Sequence, residues 1–169
     1  LRLVPARMEF IVERFGRYNS TLGAGFHFLV PFIDKVAYMQ DLKEHTMDVP
    51  PQNCFTKDEI QVEVDGVLYL QVLDSQKASY GITDFQYASI QLAQTSTRAI
   101  IGTLDLDRTF EEREAISGKV VSVLDSAAQK WGVKILRFEI KNLVPPESVR
   151  QSMEKQVTAE RNRRAIVEK

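Results

Sequence analysis

The sequence predicts an α+β fold, a twisted, mainly antiparallel sheet packed by helices, with a projecting C-terminal helix. Three observations lead there. Residues 60–72 alternate apolar and polar with a period of two, and residues 84–131 switch to apolar spacings of three and four. A second alternating run, residues 133–143, then returns before a long polar tail. Strands first, helices next and one returning strand make a layered α+β domain.

The elements follow in order. "MEFIVERF", Met8 to Phe15, mixes β-branched and aromatic residues with charges and reads as a strand, with Gly16, Asn19 and Ser20 supplying turn chemistry after it. "DKVAYMQ" and "HTMDVP" read as two more. In "EIQVEVDGVLYLQV" Ile60, Val62, Val64, Leu68, Leu70 and Val72 share one face, while Gln61, Glu63, Asp65 and Gln71 share the other. Gly66 interrupts the apolar face, which predicts a bulge or strong bend. Asp84 is suited to cap a helix carrying Phe85, Ala88, Leu92 and Ala99, which Gly102 ends. A second helix carries Ile116, Val120, Leu124, Ala127 and Trp131 and stops at Gly132. In the return strand "VKILRFEIKNL", Leu136, Phe138 and Ile140 oppose Arg137, Glu139 and Lys141. Pro146 then favours a helix start, and Val149, Met153 and Val157 make a stripe too thin to bury much on its own domain. That stripe predicts self-association. The sequence has no internal repeat and no low-complexity tract.

At 169 residues the chain fits one domain with a sizeable core. Its 22 basic and 23 acidic residues leave a net charge of -1, which gives no reason to expect a nucleic acid as partner. One cysteine, Cys54, excludes an internal disulfide and a multi-cysteine zinc site, and only His27 and His45 remain as soft ligands. The longest nearly apolar run, "FHFLVPFI", is about ten residues short of the ~18 needed to span a bilayer. The chain opens at Leu1 without methionine and stops at Lys169 inside a helical pattern, which points to flanking segments.

Between Gln91 and Glu114 five carboxylates and three arginines crowd into one stretch. Asp105, Asp107, Glu111, Glu112 and Glu114 lack the spacing to converge on a metal or an acid/base pair. They suit helix starts instead, with Asp105 or Asp107 as caps, Thr109 and Glu112 as a capping box, and Arg98, Arg108 and Arg113 as partners. There is no GxSxG, HExxH, GxGxxG or GxxxxGK[ST] motif. Cys54 could act as a hydrolase nucleophile only with His27 or His45 beside it; otherwise it is a small packed hydrophobe.

The loop "GFHFLVPFID" gathers Phe26, Phe28, Leu29, Val30 and Phe32 beside Gly25 and Pro31, and predicts contact with a membrane surface. The alternation of Phe26, Phe28 and Val30 also fits a buried strand.

Taken in order, "VERFGRY", "GFHFLVPFID", "VDGVLYLQV", "KASYG", "QLAQTSTRAIIGTLDLDRTFEERE", "WGVKILRFEIK" and "PPESVRQSMEKQVTAERNRRA" resemble the stomatin, prohibitin, flotillin and HflK/C (SPFH, or band 7) domain across nearly the whole chain. "KASYG" and "LRFEIK" are most similar to the paraslipin branch, which includes the mitochondrial stomatin-like protein. The resemblance implies a domain over residues 1–142 and the start of a long coiled-coil helix over 143–169. It further implies a non-catalytic scaffold without cofactor or metal, tethered by an upstream hydrophobic segment and assembled into homo-oligomers. Its implied partners are membrane lipid and a membrane-bound protease, at a bacterial cell membrane or the mitochondrial inner membrane. One departure is Ala24-Gly25 where the family commonly has Pro-Gly. The alternatives are a soluble adaptor that binds a partner through the C-terminal helix and a Cys54-dependent hydrolase.

Overall fold

The computed structural model describes residues 1–145 and places them in two unequal lobes. The smaller holds β1 (Arg2–Val4), β2 (Met8–Arg14), β3 (Arg17–Leu22), β4 (Gly25–His27) and β5 (Asp34–Asp41). These pair antiparallel as a β1-β4 ribbon and a β3-β2-β5 sheet around a small core of Val4, Phe10, Val12 and Leu22. The larger lobe holds β6 (Glu44–Phe55), β7 (Gln61–Val72), α1 (Ser75–Tyr80), α2 (Phe85–Ile101), α3 (Leu106–Glu111), α4 (Arg113–Ala128) and β8 (Val133–Val144). Its sheet runs β6-β7-β8, all antiparallel, which makes the fold α+β as the sequence predicts.

Strand β7 is central and buries the face its alternation marked: Val62, Val64, Leu68, Leu70 and Val72 pack against Ala93 and Ile101 of α2 and Ile116, Val120 and Leu124 of α4. Gly66 sits on that face where the β7–β8 register shifts, so the expected bulge is present. An added Cβ would lie 2.6 Å from the Glu139 carbonyl oxygen and 2.8 Å from Phe138 Cζ. Gly66→Ala should therefore cost about 2–3 kcal/mol through overpacking, read as a lower denaturant midpoint. A variant as stable as the parent would show that β8 can shift outward freely.

Several elements depart from the sequence reading. Asn19 and Ser20 lie inside β3, because Phe15 and Gly16, with φ of 55° and 79°, complete the hairpin turn. Strand β6 does not end at Pro50; it crosses Pro50 and Pro51 to Phe55 by shifting register between Val49 and Gln52. Prolines fit there because β6 is an edge strand. Helix α2 is capped by Asp84, which accepts from the Gln86 and Tyr87 N–H groups at 3.1 Å each. Its buried side is Phe85, Ser89, Ala93, Ser96, Thr97 and Ile101, whereas Ala99 is exposed and Ala88 and Leu92 are half-buried. Small residues let α2 approach α4 and β6 closely, and Thr97 satisfies its hydroxyl by donating to the Ala93 carbonyl at 2.7 Å. In β8 an extra residue at Leu136 turns Ile135 into the core beside Val133, and alternation resumes at Phe138.

In the acidic stretch no capping box forms. Thr109 is buried within α3 and donates its hydroxyl to the Asp105 carbonyl at 2.9 Å, and Asp105 occupies the cap position without a side-chain bond. Arg108 pairs with Glu112 at 3.1 Å, Arg98 donates to Gln52, and Arg113 lies over the Phe110 ring. Helix α4 runs through a short 3-10 turn, Gln129–Trp131, and stops at Gly132, whose φ of 67° favours glycine.

The lobes meet along α1. Ser75 donates to the Glu9 carboxylate, Gln40 donates to the Ser79 hydroxyl at 3.0 Å, and the Tyr80 ring stands edge-on to Tyr18 and Tyr38. Desolvation, reinforced by the Glu13 carboxylate, pushes the Tyr80 phenol up to about 12. Pro146 and the stripe of Val149, Met153 and Val157 lie outside the described residues.

Candidate functional site

The loop from Gly25 to Ile33 leaves β4 and returns along the smaller lobe to β5. Its backbone is braced at both ends. At the start Gly25 takes a φ of 122°, and the His27 ring bonds the Gly23 carbonyl through Nε2 at 2.7 Å. At the end Asp34 accepts the Val30 N–H at 2.9 Å and returns its own N–H to the Val30 carbonyl at 3.0 Å. Arg14, across the β2–β5 register, grips the same carboxylate with two bonds, Nε at 2.7 Å and an Nη at 3.1 Å.

With the backbone pinned, the side chains turn outward. Phe26 is 69% exposed, Phe28 87%, Val30 42% and Phe32 fully so. A core strand is therefore not what these residues form; β4 ends at His27, one residue before Phe28. Leu29 alone among the five predicted contacts turns inward, half-buried against the small core. Two exposed residues that sequence reasoning missed adjoin the loop. Leu3 faces Phe26 across the β1–β4 ribbon, and Phe15 tips the β2–β3 hairpin next to Arg14, at the end of the sheet where Asp34 begins β5. The signal for Phe15 was an aromatic between Arg14 and the turn glycine, in "RFGR".

The Arg14 guanidinium, with the Val30 N–H, holds the Asp34 carboxyl below its ordinary range. A depressed folded-state value means the pair stabilises above the unfolded carboxyl range, near pH 4, and that contribution is lost as pH falls through the lower folded value. Asp34→Asn should leave the global midpoint close to the parent while speeding proteolysis within residues 26–33 several-fold at pH 7. Unchanged cleavage would show that the loop is held by other contacts.

Chemistry elsewhere is sparse. Cys54 is wholly buried in β6, and burial pushes its thiol up, opposed only in part by the charge of Arg98. The His45 ring bonds the Asp41 carbonyl at 3.0 Å and the His27 ring bonds Gly23, so neither is held for Cys54. Among the described residues no group of three or more His, Cys, Asp or Glu could hold a metal ion, and no helix is long and apolar enough to cross a membrane.

Comparison with known proteins places these features in company. The chain is 44% identical to human "Stomatin-like protein 2, mitochondrial" over 164 residues, covering 97% of this chain and 46% of that protein. It is 40% identical to "Stomatin-like protein stl-1" of Caenorhabditis elegans over 167 residues, 99% of this chain and 52% of that one. An uncharacterized protein of Methanocaldococcus jannaschii is 40% identical over 157 residues, 93% of this chain and 78% of its own length. The chain thus spans about half the length of the stomatin-like relatives. The model of the SPFH domain / Band 7 family matches residues 2–169. An antiparallel α+β domain with a braced apolar loop, nearly all of which aligns with about half of each stomatin-like protein, belongs to the SPFH domain / Band 7 family.

Proposed function

We propose that this domain is a membrane-associated, non-catalytic scaffold that assembles with its own kind, organises membrane microdomains and regulates membrane proteins such as proteases. The observation that carries the reading is the exposed set Phe26, Phe28, Val30 and Phe32 on a loop whose backbone is fixed by Asp34 and Arg14. A water-soluble surface gains nothing from rigidly presenting three phenylalanines, whereas an acyl boundary would take up each with a gain of about 1.5–3 kcal/mol. The similarity to stomatin-like proteins supports the same reading, and the mitochondrial name of one relative supports a mitochondrial location, which this reading sets at the inner membrane, with a bacterial cell membrane the other setting. Self-association through Val149, Met153 and Val157 belongs to this proposal, as does a lipid partner.

Flotation with phospholipid vesicles tests it. The protein should rise with the vesicles, and a protein that stays at the bottom at every lipid concentration would remove the membrane from the function. The soluble-adaptor reading would then stand first. A Cys54-dependent hydrolase would need the buried thiol brought out beside an imidazole.

A further inference from the structure

The seam between the lobes carries an aromatic group that no core encloses. Tyr18 of β3, Tyr38 of β5 and Tyr80 at the end of α1 meet from three elements, with ring centroids 6.0 Å apart for Tyr18 and Tyr80 and 5.4 Å apart for Tyr38 and Tyr80. The ring planes stand 85° and 77° apart, so neighbouring rings meet as near-perpendicular walls. Each tyrosine is 40% to 43% exposed, which leaves part of every wall open to solvent.

The Glu13 carboxylate completes the group. It lies opposite Tyr18 in the β2–β3 register and beside the Tyr80 phenol. Among the described residues Glu13 belongs to no ion pair, although Lys35 is its register partner in β5. Nor does a lysine or arginine of the described residues lie over these three rings; the chain's own cations sit on Phe10, Phe110 and Tyr69. Three rings and a carboxylate converge without a cation of the chain among them.

The chemistry of the walls selects the ligand. A ring attracts a cation placed within about 6 Å of its centroid, so at these spacings one cation in the corner reaches more than one ring, and the carboxylate adds its charge. A primary ammonium is strongly hydrated and carries three donors that ring faces cannot satisfy. A quaternary ammonium has no donor to leave unpaired, and its methyl groups are themselves apolar.

Position supplies a source for such a group. Tyr18 stands two residues from the turn at Phe15 and Gly16, about 7 Å along the strand. With Phe15, Phe28 and Phe32 at an acyl boundary, the corner lies within the headgroup layer, which extends about 5–7 Å beyond the hydrocarbon.

We propose that Tyr18, Tyr38, Tyr80 and Glu13 form a binding site for a quaternary ammonium group, carried by a choline lipid headgroup or by a free trimethylammonium solute. The site stands on the rings and the carboxylate alone. Its lipid source rests on the membrane reading above, and the two are tested apart.

Tetramethylammonium titrated into the whole chain and followed by proton NMR tests the site. Its methyl signal should broaden and move upfield under the ring currents of the tyrosines, with a Kd of about 1–10 mM. The neutral molecule of the same shape, tert-butanol, should bind at least about tenfold more weakly, a comparison that needs no variant and so does not depend on one folding. Tyr38→Leu, which keeps apolar bulk and removes the ring, and Glu13→Gln should each weaken tetramethylammonium binding about fivefold, whereas Tyr38→Phe should stay within about twofold of the parent. No upfield shift up to ~100 mM, tert-butanol bound as tightly, or Tyr38→Leu binding like the parent would each overturn the site. Otherwise identical vesicles in which phosphatidylcholine replaces phosphatidylethanolamine then name the source. Tighter binding to the choline vesicles, with the preference lost in Tyr38→Leu, assigns the site to the headgroup. Equal binding to both, with tetramethylammonium still held, assigns it to a free solute, and vesicle binding that persists without any tetramethylammonium shift sinks the site while leaving the membrane reading in place.

Discussion

Phe28→Ser combined with Phe32→Ser should weaken vesicle binding by about a hundredfold while leaving unfolding stability within about 0.5 kcal/mol of the parent. The two halves of that expectation come from the same geometry. Phe28 is 87% exposed and Phe32 fully exposed, so neither ring contributes to a core that its loss could loosen. An acyl environment would gain about 1.5–3 kcal/mol from each ring, and losing both removes at least about 3 kcal/mol of partition free energy, which is the hundredfold. Leu29→Ala is the contrast: that side chain packs on Val4, Phe10, Val12 and Leu22, so its loss should appear in folding of the small lobe. Binding unchanged in the double serine variant would show that the loop is not the membrane contact.

Leu68→Ala should lower the unfolding free energy by about 3–5 kcal/mol, a large share of the ~5–15 kcal/mol that holds a domain together. Leu68 is 0% exposed at the middle of β7, with Met47 of β6 and Phe138 of β8 as its cross-strand neighbours. Both flanking strands are hydrogen-bonded to β7 and both helices cap its apolar face, so the surroundings cannot close over the missing methyl groups. Urea titration followed by circular dichroism measures it, and a loss below about 1 kcal/mol would mean the core collapses around the vacancy.

Strand β7 was the most legible element because every second residue is a strong hydrophobe, and Gly66 was readable as a bulge because nothing else explains a gap on a buried face. The Asp84 cap and the Gly132 stop were equally plain, since each position has a residue chemistry of its own. Helix α2 hid its packing side. Ser89, Ser96 and Thr97 look solvent-facing to a hydropathy pattern, yet close helix packing wants small side chains and the helix carbonyls can satisfy a hydroxyl. Thr109 misled for a related reason: its hydroxyl, expected to cap the next helix, turns back to Asp105 within α3. The register shift that carries β6 past Pro50 and Pro51 and the extra residue at Leu136 depend on partner strands that no local window contains. For the loop, composition located the aromatics, but the inward turn of Leu29 and the nearness of Phe15 and Leu3 arise from strand register.

The seam along α1 sets where the molecule yields under load. Tension entering at Phe28 and Phe32 travels down β5 and β2 and reaches the larger lobe through Glu9 on Ser75, Gln40 on Ser79 and the Tyr80 ring between Tyr18 and Tyr38. A handful of polar bonds and two ring edges make a weaker joint than the continuous apolar packing beneath β7, so the seam parts first and the β7 core stays shut. A pull on the loop would thereby be absorbed as a swing of the small lobe, a mechanical fuse that spares the β7 core.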